Sequence, residues 1–268
     1  MTRLLQSATQ AGLWFSAFVS VFPFYWMIVG TTNSSAEILR GKASFGNHFF
    51  TNVAAFFAEV DVVRVFANSA FLGVVGTALT LVLCSLAGYG FEMFRSRTRE
   101  RIFALLLLML SIPFAALMVP LFVLMAQLRL INTFTAILLP TIASIFIIFY
   151  FRQSTKAFPH ELRDAARIDG LKEWQIFLYI YVPVMRSTYA AATIIVFMAN
   201  WNAYIWPLIV LQTNEMKTIT LTVAALSSAY TPDYGVVMVG AVLATLPTII
   251  IFFLLQRRFV EGMLGGVK

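Results

Sequence analysis

The chain has 268 residues, of which 60% are hydrophobic and only 12% charged, with a net charge of +7 and a mean hydropathy of +0.84. That apolar share exceeds the roughly 45–50% usual in soluble domains, which excludes an ordinary water-soluble globule. A single cysteine and two histidines exclude a disulfide framework and a His/Cys metal cluster.

Charge-free intervals run over 4–36, 65–91, 102–128, 130–151, 187–214 and 234–256, each at least 22 residues long. A bilayer-spanning helix needs about 20 apolar residues. The pattern predicts an all-α polytopic membrane protein with six transmembrane helices at 13–30, 66–91, 103–127, 133–152, 188–211 and 235–256, forming one transmembrane domain over 1–268. The first apolar run is longer than a signal-peptide core and lacks a small-x-small site, so it is expected to remain as an anchor. Cys84, inside the second span, reads as a small packing residue. Pro113, Pro120, Pro140, Pro207 and Pro247 fall in or beside spans, as ordinary bundle irregularities or as bends around a pathway.

With the N-terminus inside, fourteen of the nineteen Lys and Arg residues fall on inner segments, including Arg95, Arg97, Arg99 and Arg101 between spans two and three. This asymmetry places both termini in the cytoplasm. The positive charge is therefore a topology signal, and nucleic acid is not an expected partner.

Ion-coupled carriers hold ionisable groups at membrane depth, yet the interiors of the expected spans hold no acid, Lys, Arg or His; Arg152 is the last residue of the fourth, and Glu92, at the end of the second, is the nearest acid. No nucleophile–base or carboxylate pair lies at membrane depth, so an enzyme is not expected. The chain has no G-x-x-x-x-G-K-[ST] phosphate loop. Energy for active transport must then come from a partner at the cytoplasmic face.

The longest cytoplasmic loop, 153–187, contains ELRDAARIDGLKEWQIFLYIYVP at 161–183. Pro159 suits a helix opening, Glu161 and Asp164 suit its first turns, and Gly170 suits its C-terminal stop. A second helical segment starts at Lys172 and is expected to end at Pro183. Phe158, Leu162, Ala165, Ala166 and Asp169 are expected to share one smooth face, with Arg163 and Arg167 as a basic row elsewhere. Such a helix is either a helix-in-groove ligand or a solvated helix on the membrane surface.

The run Asp164-Ala165-Ala166-x-x-x-Gly170, then nine residues, Ile180-x-Val182-Pro183 resembles the EAA loop of ATP-binding-cassette (ABC) importer permeases, E-A-A-x3-G-x9-I-x-L-P. Asp164 stands for the first Glu and Val182 for Leu. The flanks ELRDAARIDG and QRRFVEG, with WNAYIWPL at 201–208, resemble the carbohydrate branch, the maltose-system (MalG-type) inner-membrane permeases, over essentially the whole chain. The resemblance implies a permease subunit in a bacterial cytoplasmic membrane that imports a sugar, with glycerol-3-phosphate or a polyol as the alternative and a non-transporting scaffold or sensor as a remote one. It implies as partners a second related permease, two ABC ATPase subunits that bind ATP and Mg, and an extracytoplasmic solute-binding protein, in a lipid bilayer. No cofactor or metal is expected on this chain. Glu161, Asp164, Ala165, Ala166, Asp169 and Gly170 become the ATPase-coupling residues.

In span five, Asn200, Trp201, Asn202 and Tyr204 are candidates for the substrate path, since amides bind sugar hydroxyls and rings stack on C–H faces. The competing readings are interhelical glue for Asn200 and an interfacial belt for Trp206. In the external loop 212–234, which by position resembles the segment reaching toward the binding protein, Tyr230, Asp233 and Tyr234 are further candidates.

Overall fold

The computed structural model of the chain describes residues 2–264, and among these every regular element is helical. In chain order these are α1 (Thr2–Gly30), α2 (Ser35–Leu39), α3 (Phe49–Glu59), α4 (Val62–Met93), α5 (Arg97–Met109), α6 (Phe114–Gln127), α7 (Phe134–Leu138) and α8 (Ile145–Thr155). Then follow α9 (His160–Ile168), α10 (Glu173–Ile176), a π-helical turn over Phe177–Tyr181, α11 (Val182–Val184), α12 (Arg186–Trp201), α13 (Ile205–Val210), α14 (Ile219–Ser227) and α15 (Tyr234–Leu264).

Four stretches among the described residues are long and apolar enough to cross a membrane: Thr9–Gly30, Val62–Met93, Arg186–Val210 and Tyr234–Arg257. They coincide with expected spans one, two, five and six, although the fifth is interrupted at 202–204, between α12 and α13. Expected span three is divided, because α5 and α6 pass the same test only as a pair bent by 99°. Pro113, just before α6, has no N–H to continue a helix through the break. Expected span four, 133–152, is also not one helix, since α7 stops at Leu138 and Ser144 caps a new start at α8. The carbonyls released near Pro140 find donors locally. Thr141 Oγ1 lies 3.0 Å from the Ile137 carbonyl, and the Cys84 thiol reaches those of Ile142 and Ser144 at 3.5 Å. Such replacement donors are what allow irregular backbone at membrane depth.

The contacts sort the chain into two compact units, residues up to Val65 with Ile219–Pro247, and Phe66–Thr218 with Thr248 onward. In the first, the buried Asn52 amide donates to the Thr31 and Asn33 carbonyls at 2.8 and 3.0 Å. Asn33 Nδ2 in turn donates to the carbonyls of Val29 and Ser44, each at 3.0 Å. Asp233 caps α15 through the Gly235 N–H at 3.0 Å and accepts from Ser35 Oγ at 2.9 Å. Most of α1 faces outward, with Trp14 78% exposed, as a lipid-facing helix requires.

In the second unit, α4 and α8 meet at Gly88, where a Cβ would stand 2.6 Å from the Phe151 Cβ and 2.8 Å from the Arg152 nitrogen. Cys84, Phe103, Ile147, Phe151, Ala192 and Val196 form the core around that contact. At one end, buried Glu92 accepts from Arg152 Nε at 3.4 Å and from Arg95, while Arg152 Nη2 reaches Glu100 Oε1 at 2.5 Å. The Arg152 guanidinium also lies over the Phe103 ring, 4.0 Å from its centroid. At Asn132, in the left-handed region at φ 62°, Oδ1 accepts the N–H groups of Gln212 and Thr213 at 3.0 and 3.2 Å. That ties the α6–α7 turn to the segment after α13.

Replacing Gly88 with Ala forces two backbones apart and is expected to cost about 1–3 kcal/mol, as overpacking does. Gly90→Ala, with nothing within 4 Å of its Cβ, is expected to leave the unfolding midpoint in detergent at or above wild type. Thermal unfolding of both variants checks the contrast.

Candidate functional site: helix α9 and a polar-edged cavity

Helix α9 ends as its sequence predicts. Gly170 adopts φ +84°, its N–H reaches the Arg167 carbonyl and the Leu171 N–H reaches that of Ala166, both at 3.0 Å. This is a Schellman closure, which needs a left-handed residue and so favours glycine. The next segment departs from expectation, because Pro183 does not end it. The helix widens into the π turn, where the Val182 N–H bonds the Phe177 carbonyl, and continues to Val184. Pro183 lacks the N–H that an α-helical bond would use, and the wide turn accommodates the loss.

The expected smooth face of α9 divides in two. Phe158 and Ala166 are buried, whereas Glu161, Leu162, Asp164, Ala165 and Asp169 are exposed. The most exposed apolar residue there is Ile168, at 88%. Nor do Arg163 and Arg167 form an outward basic row. Arg163 is buried and turns inward, donating from Nη1 to the Met93 carbonyl at 3.3 Å and lying over the Phe94 ring.

Both arginines converge on Glu173. Arg163 Nη2 lies 3.2 Å and Arg167 Nη2 2.5 Å from Glu173 Oε1, and Tyr89 Oη donates to Oε2 at 3.2 Å. Partial burial alone would raise the Glu173 pKa. The Arg167 hydrogen bond and the two guanidinium charges outweigh it and hold the carboxyl below its ordinary range. Beneath the clasp, Tyr89, Met93, Phe158, Phe177, Tyr181 and Met185 form one apolar cluster. Tyr181 Oη pairs with Thr155 Oγ1 at 2.7 Å, joining the π turn to α8. Sequence reasoning missed Glu173 as the organiser. The available signal was a glycine turn between Arg163 and an acid ten residues later, which folds that acid back against the helix.

A cavity of about 870 Å3 lies in the same unit, lined by Asn200, Asn202 and Tyr204 together with apolar side chains such as Leu72, Met109 and Ile147. Trp201 is not among its lining residues; it is buried, stacked on Phe197 at 20° and 5.6 Å. The Asn202 amide caps α12 by donating to the Met198 carbonyl at 2.9 Å. Asn200 Nδ2 is buried without a hydrogen-bond partner, so the glue reading finds no bond from its amide nitrogen. Trp206 is no belt residue within this fold, being only 4% exposed. Its indole N–H donates to the Ala136 carbonyl at 3.1 Å, and its ring edges the cavity. Tyr230 stands fully exposed, whereas Asp233 is occupied in capping α15.

Among the described residues no cluster of His, Cys, Asp and Glu could hold a metal ion.

Residues 80–265 match the family of binding-protein-dependent transport system inner membrane components. The chain belongs to that family, a class of membrane-embedded transport subunits. It is 67% identical to the lactose transport system permease protein LacG of Rhizobium radiobacter, covering 94% of this chain and 93% of that one. It is 38% identical to the arabinooligosaccharides transport system permease protein AraQ of Halalkalibacterium halodurans, over 96% and 94%. In three dimensions it matches a chain of a bacterial ABC transporter involved in the import of the acidic polysaccharide alginate, with a TM-score of 0.83 over 96% of this chain and 97% of that one. At 21% identity that match establishes the permease fold alone.

Because the folded pKa of Glu173 lies below its unfolded value of about 4.3, the clasp contributes fully above that value and is lost as pH falls through the folded one. A nitroxide at position 168 is therefore expected to keep constant mobility from pH 7 to about 5 and to loosen only below about pH 4. Loosening already at pH 6 would contradict the clasp.

Proposed function

We propose that this chain is the permease subunit of an ABC importer that carries a mono- or oligosaccharide across a bacterial cytoplasmic membrane. ATP and Mg act on separate ATPase subunits. Membership of the family supports the class, and the 67% identity with a protein named for lactose transport supports the sugar. The exposed helix α9, closed at a left-handed glycine, is the observation that carries the coupling reading.

In this reading α9 seats in a groove of an ATPase subunit. Glu161, Asp164 and Asp169 offer carboxylates to basic groups there, Ala165 allows close approach, and Gly170 and the buried Ala166 hold the shape. A second related permease completes the pathway, and a solute-binding protein delivers sugar to the outer face, with Tyr230 and the 212–234 loop on its side. The membrane plan is six crossings with both termini cytoplasmic, the fourth assembled from the discontinuous α7 and α8. The distribution of Lys and Arg supports that orientation. Asn200, Asn202 and Tyr204 offer polar contacts to a solute in the cavity, while Trp201 supports the wall behind them by packing on Phe197.

Reconstitution with both permeases, the ATPase and the binding protein tests the coupling. Proline cannot adopt φ +84°, so Gly170→Pro is expected to abolish solute-stimulated ATP hydrolysis; unchanged stimulation would refute the reading. Asn200→Ala is expected to raise the KM for transport about tenfold, the equivalent of one hydrogen bond, with little change in maximal rate. Binding of lactose, arabino-oligosaccharides and glycerol-3-phosphate to the cognate solute-binding protein separates the sugar reading from the polyol one.

A further inference from the structure

We propose that Glu173 is a positioning residue for coupling, a clasp that makes α9 and the inner end of α4 move as one body. The inference rests on the coupling reading above and adds the route by which force leaves α9. A docked helix transmits work only if its far side is fixed to something that spans the membrane.

Three attachments supply that fixation. Glu173 gathers Arg163 and Arg167 from consecutive turns of α9, so the helix can neither roll nor slide without separating an ion pair. The same carboxylate takes the Tyr89 hydroxyl of α4. Arg163 reaches past it to the Met93 carbonyl at the last residue of α4. These links lie at the half-buried edge of an apolar cluster, where opposite charges attract more strongly than in open water. The outward face of α9, by contrast, makes none of these bonds and is free for a partner. Helix α4 also contributes Leu72 and Thr80 to the cavity wall. One continuous helix thus runs from the clasp to the chamber, and a rigid helix with discrete attachments carries coupling between distant sites.

The test uses the assembled complex with its ATPase subunits and two readouts. A cysteine at position 168 reports docking by crosslinking to the ATPase. A cysteine at the exposed, cavity-lining position 202 reports transmission, through the change in its labelling rate by a membrane-impermeant maleimide when ATP and vanadate trap the ATPases. In Glu173→Gln the crosslink is expected to persist while the nucleotide-driven change in labelling falls about tenfold, a typical coupling factor between sites. Glu173→Asp is expected to restore much of it. Tyr89→Phe, which removes one hydroxyl and leaves both ion pairs, is expected to reduce the change roughly threefold. A merely structural Glu173 would lower the yield of complex but leave the full response in whatever assembles, and that result overturns the clasp alone. A wild-type complex in which position 168 never crosslinks, or position 202 ignores nucleotide, overturns the coupling reading and the clasp with it.

Discussion

A carboxylate flanked by two guanidiniums and a phenol holds α9 against the end of α4. Without Glu173, buried Arg163 would lose its ion-pair partner, and removing one member of a buried pair is far more disruptive than never having built it. The position of α9, the orientation of its exposed face and the packing of Phe158 and Ala166 all depend on that meeting of charges. The apolar cluster below it excludes water and strengthens the interaction that holds the cluster closed.

A second charged assembly follows the same logic on neighbouring elements. Glu92, Arg152 and Glu100 join the end of α4, the end of α8 and the first turn of α5. The cost of desolvating Glu92 and Arg152 is offset because each finds more than one partner and the guanidinium lies on the Phe103 ring. These charges sit where the apolar stretches stop. The pattern that marked topology in the sequence thus serves, in the fold, to lash helix ends together.

The helices whose apolar runs are uninterrupted by a turn proline were plain in the sequence. Charge-free length alone located α1, α4, α12 and α15, and the glycine stop of α9 followed from the left-handed closure that glycine favours. The departures have local causes. Pro113 and Pro140 sit inside apolar runs that composition cannot divide, so expected spans three and four became two bent or broken pairs. Hydrophobic spacing placed Leu162 and Ala165 beside Ala166, but the real orientation of α9 is set by Arg163, which a periodicity argument counts as surface. Trp206 was misjudged for a similar reason, since the break at 202–204 decides where its ring points. Of the cavity residues, Asn200, Asn202 and Tyr204 were legible as polar intruders, whereas the aliphatic wall is indistinguishable from any membrane helix.

The wide turn over Phe177–Tyr181 behaves like a dislocation in a crystal, one surplus residue stored without breaking the row. Excising one residue there would return the backbone to ordinary winding with the turns on either side still in phase, so the loss would fall on the residues inside the turn, Tyr181 and its contact with Thr155 among them. Spacing between the glycine and the proline of this loop is therefore a mechanical dimension, comparable to the tooth count of a gear, and a change of one residue within the wide turn is felt first where Tyr181 meets Thr155.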